Sequence, residues 1–227
     1  MKHAVPVIML LLLGACKPLA DEPVIPRSEL VAQVRFTYHG QPFQAGDTLR
    51  DAGGRLVALE RLRFLVGGLW LQDELHQVLE AYPSNHWTCD SNTPIAEHAI
   101  GTTEVTHVHV LALTIGEPEA GVPGEDWGGP EGFSLELVLR TDSDGDGAIT
   151  TADTVQYATV PLTMPHYYAQ IDLPEEIVPG QRTVIPFQVA TEGLLAEFDV
   201  THMVSAPMSD PACSRLLSAL STAIRAW

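Results

Sequence analysis

Apolar positions in this chain recur at every second residue far more often than at helical spacing. Val34, Phe36 and Tyr38 alternate with Arg35 and Thr37 until Gly40-Gln41-Pro42 breaks the run, the pattern of a half-buried strand followed by a turn. Residues 62–66 and 69–71 form a longer apolar stretch interrupted by Gly67-Gly68, which predicts a strand carrying a bulge or kink. Further strands are expected at residues 104–115, 133–140, 155–162, 166–173, 182–190 and 195–200. One segment keeps a helical period: Asp210-Pro211 supplies a cap and a favoured first helical residue, and Cys213, Leu216, Leu217, Leu220 and Ile224 then fall on one face. Short strands separated by Gly and Pro, with one short C-terminal helix, predict an all-β fold, an antiparallel β-sandwich.

The first residues follow a different logic. Met1-Lys2-His3 precedes an apolar run from 4 to 13, and Leu13-Gly14-Ala15-Cys16 follows, which resembles a lipobox. The run is too short to cross about 30 Å of hydrocarbon as a permanent helix. Residues 1–15 are therefore expected to be a lipoprotein signal peptide, with Cys16 lipidated and holding the protein to a membrane. Lys17 after the cysteine, by resemblance to sorting rules, points to the outer membrane. Residues 16–29 are Pro-rich, acidic and aperiodic and read as a tether. Residues 30–227 form the expected folded domain.

Charge narrows the partners. The chain carries a formal charge of −17, and loss of residues 1–15 removes Lys2 and no acid, taking it to −18. Such a surface repels nucleic-acid phosphates and suits cation binding. With 45% hydrophobic residues and 18% charged, there is ample material for one core. Once Cys16 is lipidated, Cys89 and Cys213 remain. In an oxidising compartment an even pair most simply forms a disulfide, with two thiols serving a metal as the alternative.

The clearest chemistry lies at residues 142–153. Asp142, Asp144, Asp146 and Asp153 occupy positions one, three, five and twelve of a twelve-residue calcium loop, with Gly147 at the sharp turn in position six. Ala148 offers its carbonyl at position seven and Thr150 stands at nine; Ile149 would plug the loop into the core. The flanks read as strands, so this is a calcium loop between strands rather than an EF-hand pair, and the expected role is structural. A second pattern, Thr106-His107-Val108-His109-Val110, puts His107 and His109 on one strand face, about 6–7 Å apart, where both imidazoles can reach one metal. His166, His202, His86, His98, Met164 and Met203 are candidates for completing that site, and softer ligands would favour copper.

Residues 34–43 (VRFTYHGQPF), 62–71 (LRFLVGGLWL) and 195–200 (LAEFDV), with the tail around Pro211-Ala212-Cys213, resemble the MbnP-type family of periplasmic copper-binding proteins. The resemblance implies a β-sandwich, a copper site of two histidines and an oxidised tryptophan, and in some bacteria a dihaem partner enzyme. Here His107 or His109 with His166, and Trp87 or Trp127, are the counterparts it suggests. The chain departs from the family in lacking a Trp-rich stretch mid-chain, where the acidic loop stands instead. No Gly-x-Ser-x-Gly, His-Glu-x-x-His or Cys-His signature and no phosphate-binding glycine loop is present, so a non-catalytic protein is expected. The sequence thus points to a lipid-anchored, calcium-bearing envelope protein with copper at a histidine site. The alternative is a calcium-stabilised surface adhesion or carbohydrate-binding module.

Overall fold

Two-residue periodicity becomes two facing sheets in the computed structural model, which describes residues 24–93, 95–116, 133–161, 167–173, 176–197, 199–200 and 210–227. A five-stranded sheet holds β1 (Ser28–Tyr38), β2 (Gln41–Pro42), β6 (Ile95–Thr103), β11 (Arg182–Ala190) and β12 (Ile224–Ala226). A seven-stranded sheet holds β3 (Thr48–Arg50), β4 (Leu56–Gln72), β5 (Val78–Asp90), β7 (Val110–Ile115), β8 (Phe133–Thr141), β9 (Thr154–Pro161) and β10 (Tyr167–Asp172). Two helices, α1 (Thr191–Glu197) and α2 (Asp210–Ala223), pack on each other. The expected sandwich with a short C-terminal helix is what forms. One pairing breaks the antiparallel rule: β1 and β11 run parallel from Glu29 opposite Arg182 to Thr37 opposite Ala190.

The seven-stranded sheet is organised around β4. Its first half pairs with β8 and its second half with β7 along one side, while β3 and β5 take the other. The register shifts between Gly67 and Leu69 against both β5 and β7, where Gly68 adopts φ +49°. This is the bulge that Gly67-Gly68 announces, and it lies within the half of β4 that pairs with β5 and β7. Phe64 from β4 meets Phe36 from β1 edge to face at 6.3 Å, tying the sheets together through a core that includes Leu62, Leu69, Leu113, Leu137 and Phe187.

Several elements differ from expectation for identifiable reasons. Residues 195–200 were expected as a strand, yet Thr191–Glu197 is helical. Leu194 and Leu195 are both fully buried, which consecutive strand residues facing opposite ways do not achieve on one core face but a helix packed on α2 does. β5 and β6 escape the alternation test because their outer halves are largely exposed and polar. β7 begins at Val110, so residues 104–109 are irregular chain. β1 begins at Ser28, which draws the last two residues of the expected tether into the sheet. Among the described residues no helix is long and apolar enough to cross a membrane.

Candidate metal centre

The turn between β8 and β9 is built by aspartates bonding to their own backbone. Asp142 accepts from the Gly145 amide at 2.7 Å through Oδ1 and from the Gly147 amide at 3.0 Å through Oδ2. Asp144 Oδ1 accepts from the Asp146 amide at 3.1 Å, and Asp146 Oδ1 from the Ala148 amide at 2.8 Å. Gly147 sits at φ +83°, a conformation that a side chain would strain, so the glycine at position six is required by the turn itself. As a result one carboxylate oxygen each from Asp142, Asp144 and Asp146 lies within 4.8 Å of the other two. Ile149 is half-buried at the base of the turn.

Asp153 stands outside that group and does a different job. It is buried; its Oδ1 accepts from the Ser143 amide at 2.9 Å and the Ser143 hydroxyl at 3.0 Å, and its Oδ2 from the Thr150 amide at 2.7 Å and the Thr150 hydroxyl at 3.1 Å. Those donors, the two backbone amides foremost, hold its carboxyl down at about 2. Asp153 is thus the clasp that closes the loop, a role that the twelve-position pattern does not reveal. The Thr150 hydroxyl is likewise engaged, donating to Asp153 and accepting from the Ala152 amide at 3.2 Å.

The histidine pair takes shape differently from the sequence expectation. His107 and His109 lie in irregular chain just before β7, with Val108 and Val110 buried between and after them, so both rings point away from the core. His107 Nδ1 stands 3.2 Å from Glu176 Oε1, and His109 Nε2 stands 4.0 Å from Glu74 Oε2; the histidine side chains are 75% and 56% exposed. Each imidazole therefore faces its own carboxylate, one from the β4–β5 turn and one from the segment before β11. No sequence signal links residues so far apart. Among the described residues these four do not converge as a three-ligand group. His166, named as the third copper ligand, lies outside the described residues, as do Cys16, Trp127, Met164, His202 and Met203.

Cys89 and Cys213 are not joined by a disulfide, which corrects the pairing expected from their parity. Both are buried in the shared core, but Cys89 sits on β5 beside β4, whereas Cys213 sits on α2, which packs against α1, β10, β11 and β12. Burial pushes the Cys89 thiol up to about 12. Trp87, two residues earlier on the same inward face, stacks on His98 of β6 with ring centres 5.0 Å apart and planes 15° from parallel. That stack joins the two sheets at their β5–β6 margin, and the sequence names its members without pairing them.

No protein-family model and no curated protein matches the chain in sequence. In structure it is similar to MbnP from Methylosinus trichosporium at 12% identity, with a TM-score of 0.52 over 85% of this chain and 88% of that one. The fold of this chain is that of a distant MbnP-like β-sandwich, with an acidic turn grafted between β8 and β9.

Proposed function

We propose that this chain is a non-catalytic metal-binding protein of the bacterial cell envelope, anchored by lipid on Cys16, with calcium in the 142–153 loop. The observation that carries the reading is the convergence of Asp142, Asp144 and Asp146 within 4.8 Å. Three hard, anionic oxygens at that spacing, with the Ala148 carbonyl and water to complete the shell, suit calcium better than a softer ion. Asp153 lies outside that three-oxygen group and shapes the loop through Ser143 and Thr150. With three carboxylates and no long bidentate Glu, the affinity belongs to the weak class of extracellular sites, with Kd of about 10⁻⁴–10⁻³ M. A site of that kind is a fixed structural strut where calcium is plentiful.

Copper rests on the family resemblance and on His107, His109 and His166. His107 and His109 share an exposed face beside Glu74 and Glu176, a donor set of imidazole and carboxylate that fits an oxidised divalent ion rather than a soft monovalent one. The described residues alone do not close such a site, and a dihaem partner enzyme is a further implication of the resemblance. Metal analysis of protein purified without added metal separates the readings. Calcium retained and lost on Asp142→Ala supports the loop assignment, whereas no calcorimetric heat on adding calcium to stripped protein removes it. Copper near one per chain that survives His107→Ala with His109→Ala would place copper elsewhere.

A further inference from the structure

We propose that β9 is a pairing edge for a second copy of this chain, forming a two-fold dimer in which two seven-stranded sheets become one. At two other margins the sandwich is covered: β10 packs against β12, and β5 against β6, so the sheets close on each other there. β9 pairs with β8 on one side, and among the described residues no strand pairs with its other side. An edge of this kind is ordinarily blunted by lysine, inward charge, a bulge or proline. β9 reads Thr-Val-Gln-Tyr-Ala-Thr-Val-Pro, without a charge, and its only proline is its last residue.

In a chain that carries −17, the charges beside this edge bear on whether two copies can meet there. Inward of β9 on the outer face of its sheet, Glu136 of β8 lies 2.6 Å from Arg63, Glu60 of β4 lies 2.9 Å from Arg140, and Asp90 of β5 is bound by Arg61, while the exposed aspartates of the acidic turn stand apart at the start of β9. Tyr157, 62% exposed, stands on that surface opposite Val138. Two copies can therefore meet here with little like-charge repulsion, with a large aromatic ring from each near the centre.

The same charge argument sets the direction of pairing. The acidic turn lies at the start of β9. Parallel pairing would lay two such turns side by side. Antiparallel pairing about a dyad near Tyr157 and Ala158 separates them by the strand's length, about 26 Å for its 8 residues, well beyond the screening length of roughly 8 Å at physiological salt. It also makes the interface self-complementary, as a closed dimer requires.

Sedimentation equilibrium over a concentration series, in physiological salt, tests the proposal. The expected result is a mass rising toward twice that of one chain, with β9 amides protected from hydrogen exchange at the concentrated end and exposed on dilution. Tyr157→Lys, which sets two like charges near the dyad, is expected to give a single-chain mass with an unchanged circular dichroism spectrum, while Tyr157→Phe keeps the dimer. A single-chain mass throughout the series, or β9 amides that exchange alike at both ends of it, would overturn the proposal.

Discussion

Replacing Asp144 and Asp146 together by asparagine should have opposite effects on stability with and without calcium. Each asparagine keeps the oxygen that accepts from the Asp146 or Ala148 amide, so the turn's own bonding survives. What disappears is the like-charge repulsion among three carboxylates within 4.8 Å of one another. At that distance each pair costs about 1 kcal/mol in water and roughly half that at physiological ionic strength. Removing all three pairs stabilises the calcium-free protein by about 1.5 kcal/mol, or about 3–6 °C in Tm for a domain of this size. In the wild type, calcium at about 100 times Kd contributes about 2.7 kcal/mol, more than the variant gains from lost repulsion, and the double variant, left with one carboxylate, loses most of it. Thermal melts in chelator and in calcium at about 100 times Kd, roughly 10 mM or more, read both effects. The curves should cross, with the variant the more stable in chelator and the wild type in calcium. If the variant melts lower than wild type in chelator, or if calcium raises both equally, the aspartates are not a repelling cluster relieved by a cation.

Four further outcomes follow from the packing and the titrating groups. Asp153 titrates at about 2 in the fold against an ordinary value of 3.8, so its stabilising effect is complete above about 4 and is lost as pH falls toward 2; acid titration of Asp153→Asn should show a shallower loss over that window than wild type. Phe64→Ala empties a fully buried site and breaks the contact with Phe36, at a cost of about 3–5 kcal/mol, seen as a lowered urea midpoint with an unchanged slope. Gly68→Ala forces a side chain into φ +49° with its Cβ 2.8 Å from the Trp70 ring, and should cost about 1 kcal/mol or more with a changed near-ultraviolet spectrum; an unchanged spectrum would show that the bulge is elsewhere. Cys89, its thiol raised to about 12 by burial, should resist iodoacetamide at pH 8 until the protein is unfolded. If no thiol reacts even then without a reductant, the two cysteines are bonded and the disulfide expected from parity is right after all.

What could be read from the sequence, and what could not, divides along the range of the interaction that decides each feature. The β1, β8, β9 and β11 patterns are legible because each strand buries one face against a single core, so burial writes itself into the chain at period two. The acidic turn is legible for the same reason at shorter range, since Gly147 and the aspartates bond within five residues of themselves. β5 and β6 are not legible, because strands with a solvated margin lack the alternation and are held by partners far along the chain. α1 is misread because six residues cannot distinguish a buried strand from one helical turn when Leu194 and Leu195 are adjacent; only the neighbouring α2 decides it. The contacts of the candidate ligands are likewise decided by parts of the chain that no local pattern joins. His107 and His109 meet Glu176 and Glu74 through tertiary folding alone, and Asp153 acts as a clasp because Ser143 and Thr150 present amides to it first. A spacing motif states which side chains can reach a cation. Which of them converge is a property of the fold, and in this loop one oxygen each from Asp142, Asp144 and Asp146 lies within 4.8 Å of the other two, while Asp153 faces Ser143 and Thr150.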